Sequence, residues 1–125
     1  MSFDITQLDP ALQTLYTQWI TQCEQEGLFL RGIQGWRDPL YQDQLHAQGI
    51  SPLTGATSLH CCVDANGKPA SKAFDFGCFT PNGAYITNGN DPAYFRAGQI
   101  AKSLKLVWGG NFVHPRPDPD HIQLA

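Results

Sequence analysis

The sequence predicts an α+β domain in which about three helices pack against a small, mainly antiparallel sheet. Three observations carry this. Asp stands directly before Pro at Asp9-Pro10, Asp38-Pro39 and Asp91-Pro92, and that pair starts helices, because the Asp carboxylate accepts from free amides while Pro presets φ. After the first pair, Leu12, Leu15, Tyr16, Trp19, Ile20 and Cys23 recur at helical spacing. Finally, Ala73-Phe74-Asp75-Phe76 alternates in character along its length, as a strand between two unlike faces does.

Taken in order, the first helix runs from Pro10 to a stop at Gly27, and Leu28 to Ile33 reads as a strand. Gly35-Trp36-Arg37 turns the chain into a second helix, from Pro39 to about Ala47, closed by Gly49. Ser, Pro, Thr and Gly dominate the stretch from Ile50 to Leu59, a loop leading into His60. Asn66-Gly67 favours a tight turn, and the expected hairpin arm returns along Ala73–Phe76. Within that return strand Phe74 and Phe76 point to the core, and Asp75 points to a cleft. The third helix spans Pro92 to about Leu104 and offers Tyr94, Phe95, Ile100, Ala101 and Leu104 to the core. A Pro-rich loop at Pro115, Pro117 and Pro119 leads to a terminal strand over Asp120 to Leu124.

With 125 residues, 42% hydrophobic and 15% charged, the chain has the make-up of one globular domain. No apolar run approaches the roughly 18 residues of a membrane span. The start, Met1-Ser2-Phe3-Asp4, lacks the basic and apolar segments of a secretory signal, so synthesis is expected to end in the cytoplasm. An extracellular substrate then requires a delivery partner, a pore-forming holin or an injection apparatus. A net charge of −3 with eight Lys and Arg gives no basic stripe for nucleic acid. Cys23, Cys61, Cys62 and Cys78 form no C-x-x-C pair, and small buried thiols in a reduced compartment are expected.

The chemistry-bearing candidates are His60, Asp75 and His121, on a loop, a strand and the start of another strand. Two imidazoles and a carboxylate are ordinary zinc ligands, and three protein ligands leave a fourth position for a water whose pKa falls to about 7. Asp118, three residues before His121, is the first choice of general base. Its rival Asp120 is expected to face away, since neighbours on a strand alternate. Arg37 offers a planar cation to a substrate carboxylate or an oxyanion. By spacing alone these residues also suit a solvated Asp-Pro turn, a strand-end carboxylate and a helix-terminal charge. His46 reads as an exposed helical residue; His114, beside the proposed base, is a candidate to assist the transition state.

The order of the motifs resembles the zinc D-Ala-D-Ala-type metallopeptidases, the superfamily that includes the hedgehog fold, and in particular the phage endolysin L-alanyl-D-glutamate peptidases. That family has a small-Gly-aromatic-Arg segment before a helix, matched by Gln34-Gly35-Trp36-Arg37. Its Ser-x-His is matched by Ser58-Leu59-His60, and its Gly/Ser-x-Ala-x-Asp strand by Ser71-Lys72-Ala73-Phe74-Asp75. Its closing Trp-Gly-Gly and acid-x-x-His are matched by Trp108-Gly109-Gly110 and Asp118-Pro119-Asp120-His121. The resemblance runs from about Leu30 to Leu124. It implies a Zn2+ ion on His60, Asp75 and His121, Asp118 as base and Arg37 as the stabilising cation, with Gln34, Ser58, Trp108 and His114 as candidate substrate contacts. One departure is a wider gap between His60 and Asp75, where Cys61 to Ser71 adds the apparent hairpin.

The expected function is hydrolysis of peptide bonds in peptidoglycan stem peptides or cross-bridges by a single catalytic domain over residues 1–125, without a separate wall-binding domain. Two other readings stand beside it: a D-Ala-D-Ala carboxypeptidase or dipeptidase, and a zinc-binding module of the same fold without hydrolysis.

Overall fold

Each of the three Asp-Pro pairs opens a helix. In the computed structural model, which describes residues 3–113 and 116–125, α1 spans Pro10–Gln25, α2 Pro39–Ala47 and α3 Pro92–Ser103. The carboxylates of Asp9, Asp38 and Asp91 accept from the amides of Ala11, Leu40 and Ala93 at 2.8–2.9 Å, with Pro at the first helical position each time. One orphan donor per helix is thereby satisfied at the point where the chain enters.

Four strands form the sheet: β1 Phe29–Gln34, β2 Ala73–Phe79, β3 Val107–Trp108 and β4 His121–Gln123. Their spatial order is β1-β2-β4-β3, antiparallel throughout, so the architecture is the α+β arrangement the sequence predicts. The two-residue β3 was not foreseen, because it is too short to show a period. A register shift at Ile33 in β1 brings Gln34 opposite Asp75.

Phe74 and Phe76 are fully buried on the helical side of β2. The Trp19 ring of α1 packs against both, at centroid separations of 5.3 and 5.0 Å, and the Trp19 indole N–H donates to the carbonyl of Ala97 in α3 at 3.0 Å. One cluster of buried side chains from α1, α3 and the sheet thus forms the core, and the opposite sheet face is left for Asp75.

Two expectations need correction. Phe95, expected in the core, is 58% exposed; its ring instead makes an edge contact with Trp108 at 5.9 Å. The turn at Asn66-Gly67 exists, with Gly67 at φ +78° and Asp64 N–H donating to the Lys68 carbonyl at 2.8 Å. Its return arm is not β2, however. The arm closes at the single bridge Val63–Pro69, and Ser71 then pairs with the chain before α1. By the time β2 begins, β1 and β4 occupy its two edges.

Two backbone details determine how α3 seats against the sheet. A Cβ on Gly98 would overlap the Trp108 ring, as would one on Gly110, so the indole lies between two glycines. Lys105, after α3, adopts φ +65°, the left-handed position that usually takes glycine. Lys105→Gly is therefore expected to raise the unfolding free energy by about 1 kcal/mol. Gly98→Ala, by contrast, should lower it by about 1–3 kcal/mol through overpacking. Urea unfolding checks both, and shifts of the opposite sign would contradict these assignments.

Candidate metal centre and cleft

Asp75 and His121 lie directly opposite one another in the β2–β4 ladder, so their side chains share the outer sheet face. Asp75 Oδ1 is 3.3 Å from His121 Nδ1. His60 comes from a different element, a 3-10 turn over Leu59–Cys61 that Ser58 caps by accepting from the His60 amide at 3.3 Å. Two backbone bonds hold this turn over the sheet: Lys72 N–H to the Leu59 carbonyl at 3.0 Å and Arg37 N–H to the His60 carbonyl at 2.9 Å. His60 Nε2 then lies 3.5 Å from Asp75 Oδ1, and the three candidate ligand atoms fall within 4.8 Å of one another.

The outward nitrogens of both rings are also held. His60 Nδ1 is 2.8 Å from the Gly35 carbonyl, which can only accept, so that nitrogen carries the proton. His121 Nε2 is 2.8 Å from Gln123 Oε1. The inner nitrogens, His60 Nε2 and His121 Nδ1, both face Asp75, as ligands for a metal ion when unprotonated and as donors to the carboxylate when protonated. Outer partners that orient imidazoles in this way are characteristic of metal-ligating histidines, and two nitrogens with one carboxylate oxygen suit a divalent transition metal.

The electrostatics agree with a paired centre. Burial by itself pushes the Asp75 pKa up, but hydrogen bonds from His121 and His60 and the charges of both rings outweigh it, holding the carboxyl well below the usual range. For His121, burial disfavours the cation, yet the hydrogen bond and charge of Asp75 raise its pKa overall.

Arg37 lies beside the trio, with Nη2 3.7 Å from Asp75 Oδ2. Its Nη1 donates to Gln42 Oε1 at 2.5 Å, and Nη2 also donates to Gln34 Oε1. Gln42 is fully buried and donates onward to Ser51 Oγ at 2.8 Å and the Leu53 carbonyl at 2.7 Å. The second helix and its following loop are thus tied to the guanidinium.

Asp118 is exposed, with Oδ2 4.0 Å from His121 Nδ1. Its approach depends on Gly109, whose carbonyl accepts from Asp118 N–H at 2.8 Å; a Cβ there would strike the Asp118 carbonyl. Asp120 does not face away as expected. It precedes β4 in a turn, where strand alternation does not apply, and its carboxylate lies within 4.8 Å of those of Asp75 and Asp118. Burial, then the hydrogen bond to Asp118 and the nearby negative charges, push its pKa well above the usual carboxylate range.

These groups open into a cleft of about 590 Å3. Its apolar lining includes Leu45, Ile50, Pro52, Leu53 and Phe112, and Arg116 and Asp118 also border it. His60, Asp75 and His121 line the cleft together with Arg37, Ser58 and Gln123.

A solved structure shares this fold. The L-Ala-D-Glu endopeptidase ChiX of Serratia marcescens aligns over 97% of this chain and 83% of its own, with a TM-score of 0.72 at 17% identity. No protein-family model matches the chain, and no curated protein does.

Of the residues singled out in the sequence, His60, Asp75, His121, Arg37, Asp118 and Ser58 meet at the cleft. Gln34 stands behind Arg37 as its acceptor. Trp108 is buried away from the cleft lining, where its indole N–H donates to the Pro119 carbonyl at 2.7 Å and supports the Asp118–Asp120 turn. His114 lies outside the described residues. His46 is exposed on α2, as expected, with Nδ1 3.2 Å from the Ser51 carbonyl. Gln42 and Gln123 are site residues that the sequence motifs do not mark. For Gln42 the signal was a polar residue on the inward side of a short helix; for Gln123 it was its place two residues after His121, on the same strand face.

Because Gln123 orients His121, Gln123→Ala is expected to weaken metal binding by about 10–100-fold while leaving the circular dichroism spectrum unchanged. Titration with Co2+, followed by its visible absorption, measures this. Unchanged affinity would show that the Gln123 contact is incidental.

Proposed function

We propose that the chain is a zinc-dependent peptidase that hydrolyses stem peptides of bacterial peptidoglycan, with the L-alanyl-D-glutamate bond as the favoured target. The observation that carries this reading is the meeting of His60 Nε2, Asp75 Oδ1 and His121 Nδ1 within 4.8 Å, with Asp118 at 4.0 Å from His121, in one open cleft. The choice of substrate is supported by ChiX, an L-Ala-D-Glu endopeptidase of the same fold.

In this reading His60, Asp75 and His121 hold the zinc, which when bound lowers the pKa of a water to about 7 and polarises a carbonyl. The exposed Asp118 carboxylate takes the proton of the attacking water and later delivers one to the leaving amine. Asp120 lies beside Asp118, and its raised pKa favours a proton held between the two acids, which reduces the negative charge next to the cleft. Arg37, fixed by Gln34 and Gln42, presents positive charge to the oxygen that becomes negative during attack. The glutamines hold the guanidinium in place before substrate arrives, so little reorganisation is needed at the moment of reaction.

Purified peptidoglycan incubated with the zinc-loaded protein should release stem peptides with a new amino terminus on D-Glu, detectable by mass spectrometry. Asp118→Ala should slow that release by about a hundred- to ten-thousand-fold and still bind one zinc. If the variant digested wall as fast as the parent, the mechanism would be wrong. Release of D-Ala in place of D-Glu-terminated peptides would move the activity to carboxypeptidase.

A further inference from the structure

We propose that Arg116 recognises a carboxylate on the substrate residue next to the scissile bond, so that the cleft selects an acidic peptide over its amide. This deepens the peptidase reading and rests on it. Two guanidinium groups line the cleft, Arg37 and Arg116. The first is occupied within the protein: Nη1 is bound to Gln42, Nη2 is bound to Gln34 and faces Asp75 at 3.7 Å, and Nε is buried without a partner. Both Nη groups of Arg37 are thus tied into the protein, which leaves Arg116 as the cleft guanidinium without a partner among the described residues.

Arg116 is in the opposite situation. It is exposed on the cleft wall and makes no hydrogen bond or ion pair among the described residues. Asp118, two residues on, leaves it unpaired, as Asp118 makes its ion-pair contact with His121. The two residues are separated by at most about 7 Å of extended chain, the span of one to two residues of an extended peptide. A carbonyl held for attack beside Asp118 therefore places the neighbouring residue's substituent within reach of Arg116. Phe112, Leu53 and Ile50, which line the same cleft, are apolar; a bound peptide would cover them and exclude water, which strengthens an ion pair formed there. The guanidinium also matches a carboxylate in a bidentate manner.

The test uses N-acetyl-L-alanyl-D-glutamate with its γ-carboxyl capped as the methylamide, and the α-amide of the same compound, titrated calorimetrically into the metal-free protein, with cleavage of both by the zinc-loaded protein followed separately. The parent is expected to bind the acid about five- to ten-fold more tightly than the amide, the range for a partly exposed charge pair. Arg116→Gln should bind the two equally, and Arg116→Lys should keep part of the preference. Equal Co2+ affinity in all three proteins verifies that the centre is intact. If Arg116→Gln retains the parent's preference, the inference is overturned even where wall digestion proceeds. If the preference tracks Arg116 but no peptide bond is cut, the recognition site stands and the peptidase reading falls.

Discussion

The contact on which the rest of the site depends is that of one carboxylate with two imidazoles across the middle of the sheet. Asp75 is on the central strand β2, and His121 is its partner in β4. Removing a carboxylate from water is expensive unless cations or hydrogen bonds compensate. Here the compensation comes from three sides: His121, His60 and Arg37. Each arrives from a different element, so β4, the Leu59–Cys61 turn and the approach to α2 are all bound to a single oxygen pair. A metal ion fits the same logic, as a cation replacing the protons that the imidazoles would otherwise share with Asp75.

Around that contact the protein devotes ordinary packing to orientation. The Gly35 carbonyl sets the tautomer of His60, and Gln123 holds the orientation of the His121 ring. Trp108, enclosed by Gly98 and Gly110, uses its indole N–H to hold the Pro119 carbonyl. Gly109 lets the Asp118 backbone close in from the other side. The acidic turn is therefore placed by a buried aromatic ring and three glycines, of which Gly109 packs directly against Asp118 and His121.

Two carboxylates near Asp75 have different surroundings. Asp118 is exposed at the cleft, while Asp120 is partly buried, next to Asp118 and near Asp75. Burial and the adjacent negative charges disfavour ionisation of Asp120. The two guanidiniums show a similar division, Arg37 bound inward and Arg116 open to the cleft.

Local chemistry made much of this legible in the chain. Asp-Pro pairs start helices through a side-chain acceptor and a preset φ within three residues, so α1, α2 and α3 were readable from composition alone. The alternation of Phe74, Asp75 and Phe76 likewise determined which face was core and which was cleft. The candidate ligands were recognisable as residue types in a familiar order. Tertiary structure alone decided the partners of β2, the exposure of Phe95, the inward turn of Asp120 and the burial of Gln42 against Arg37. These depend on contacts between segments distant in sequence, or on whether a short stretch is strand or turn, and no local period encodes either. Convergence of His60, Asp75 and His121 belongs to the same class: the residues are chosen by the sequence, but only the folded backbone brings their nitrogen and oxygen atoms to one point.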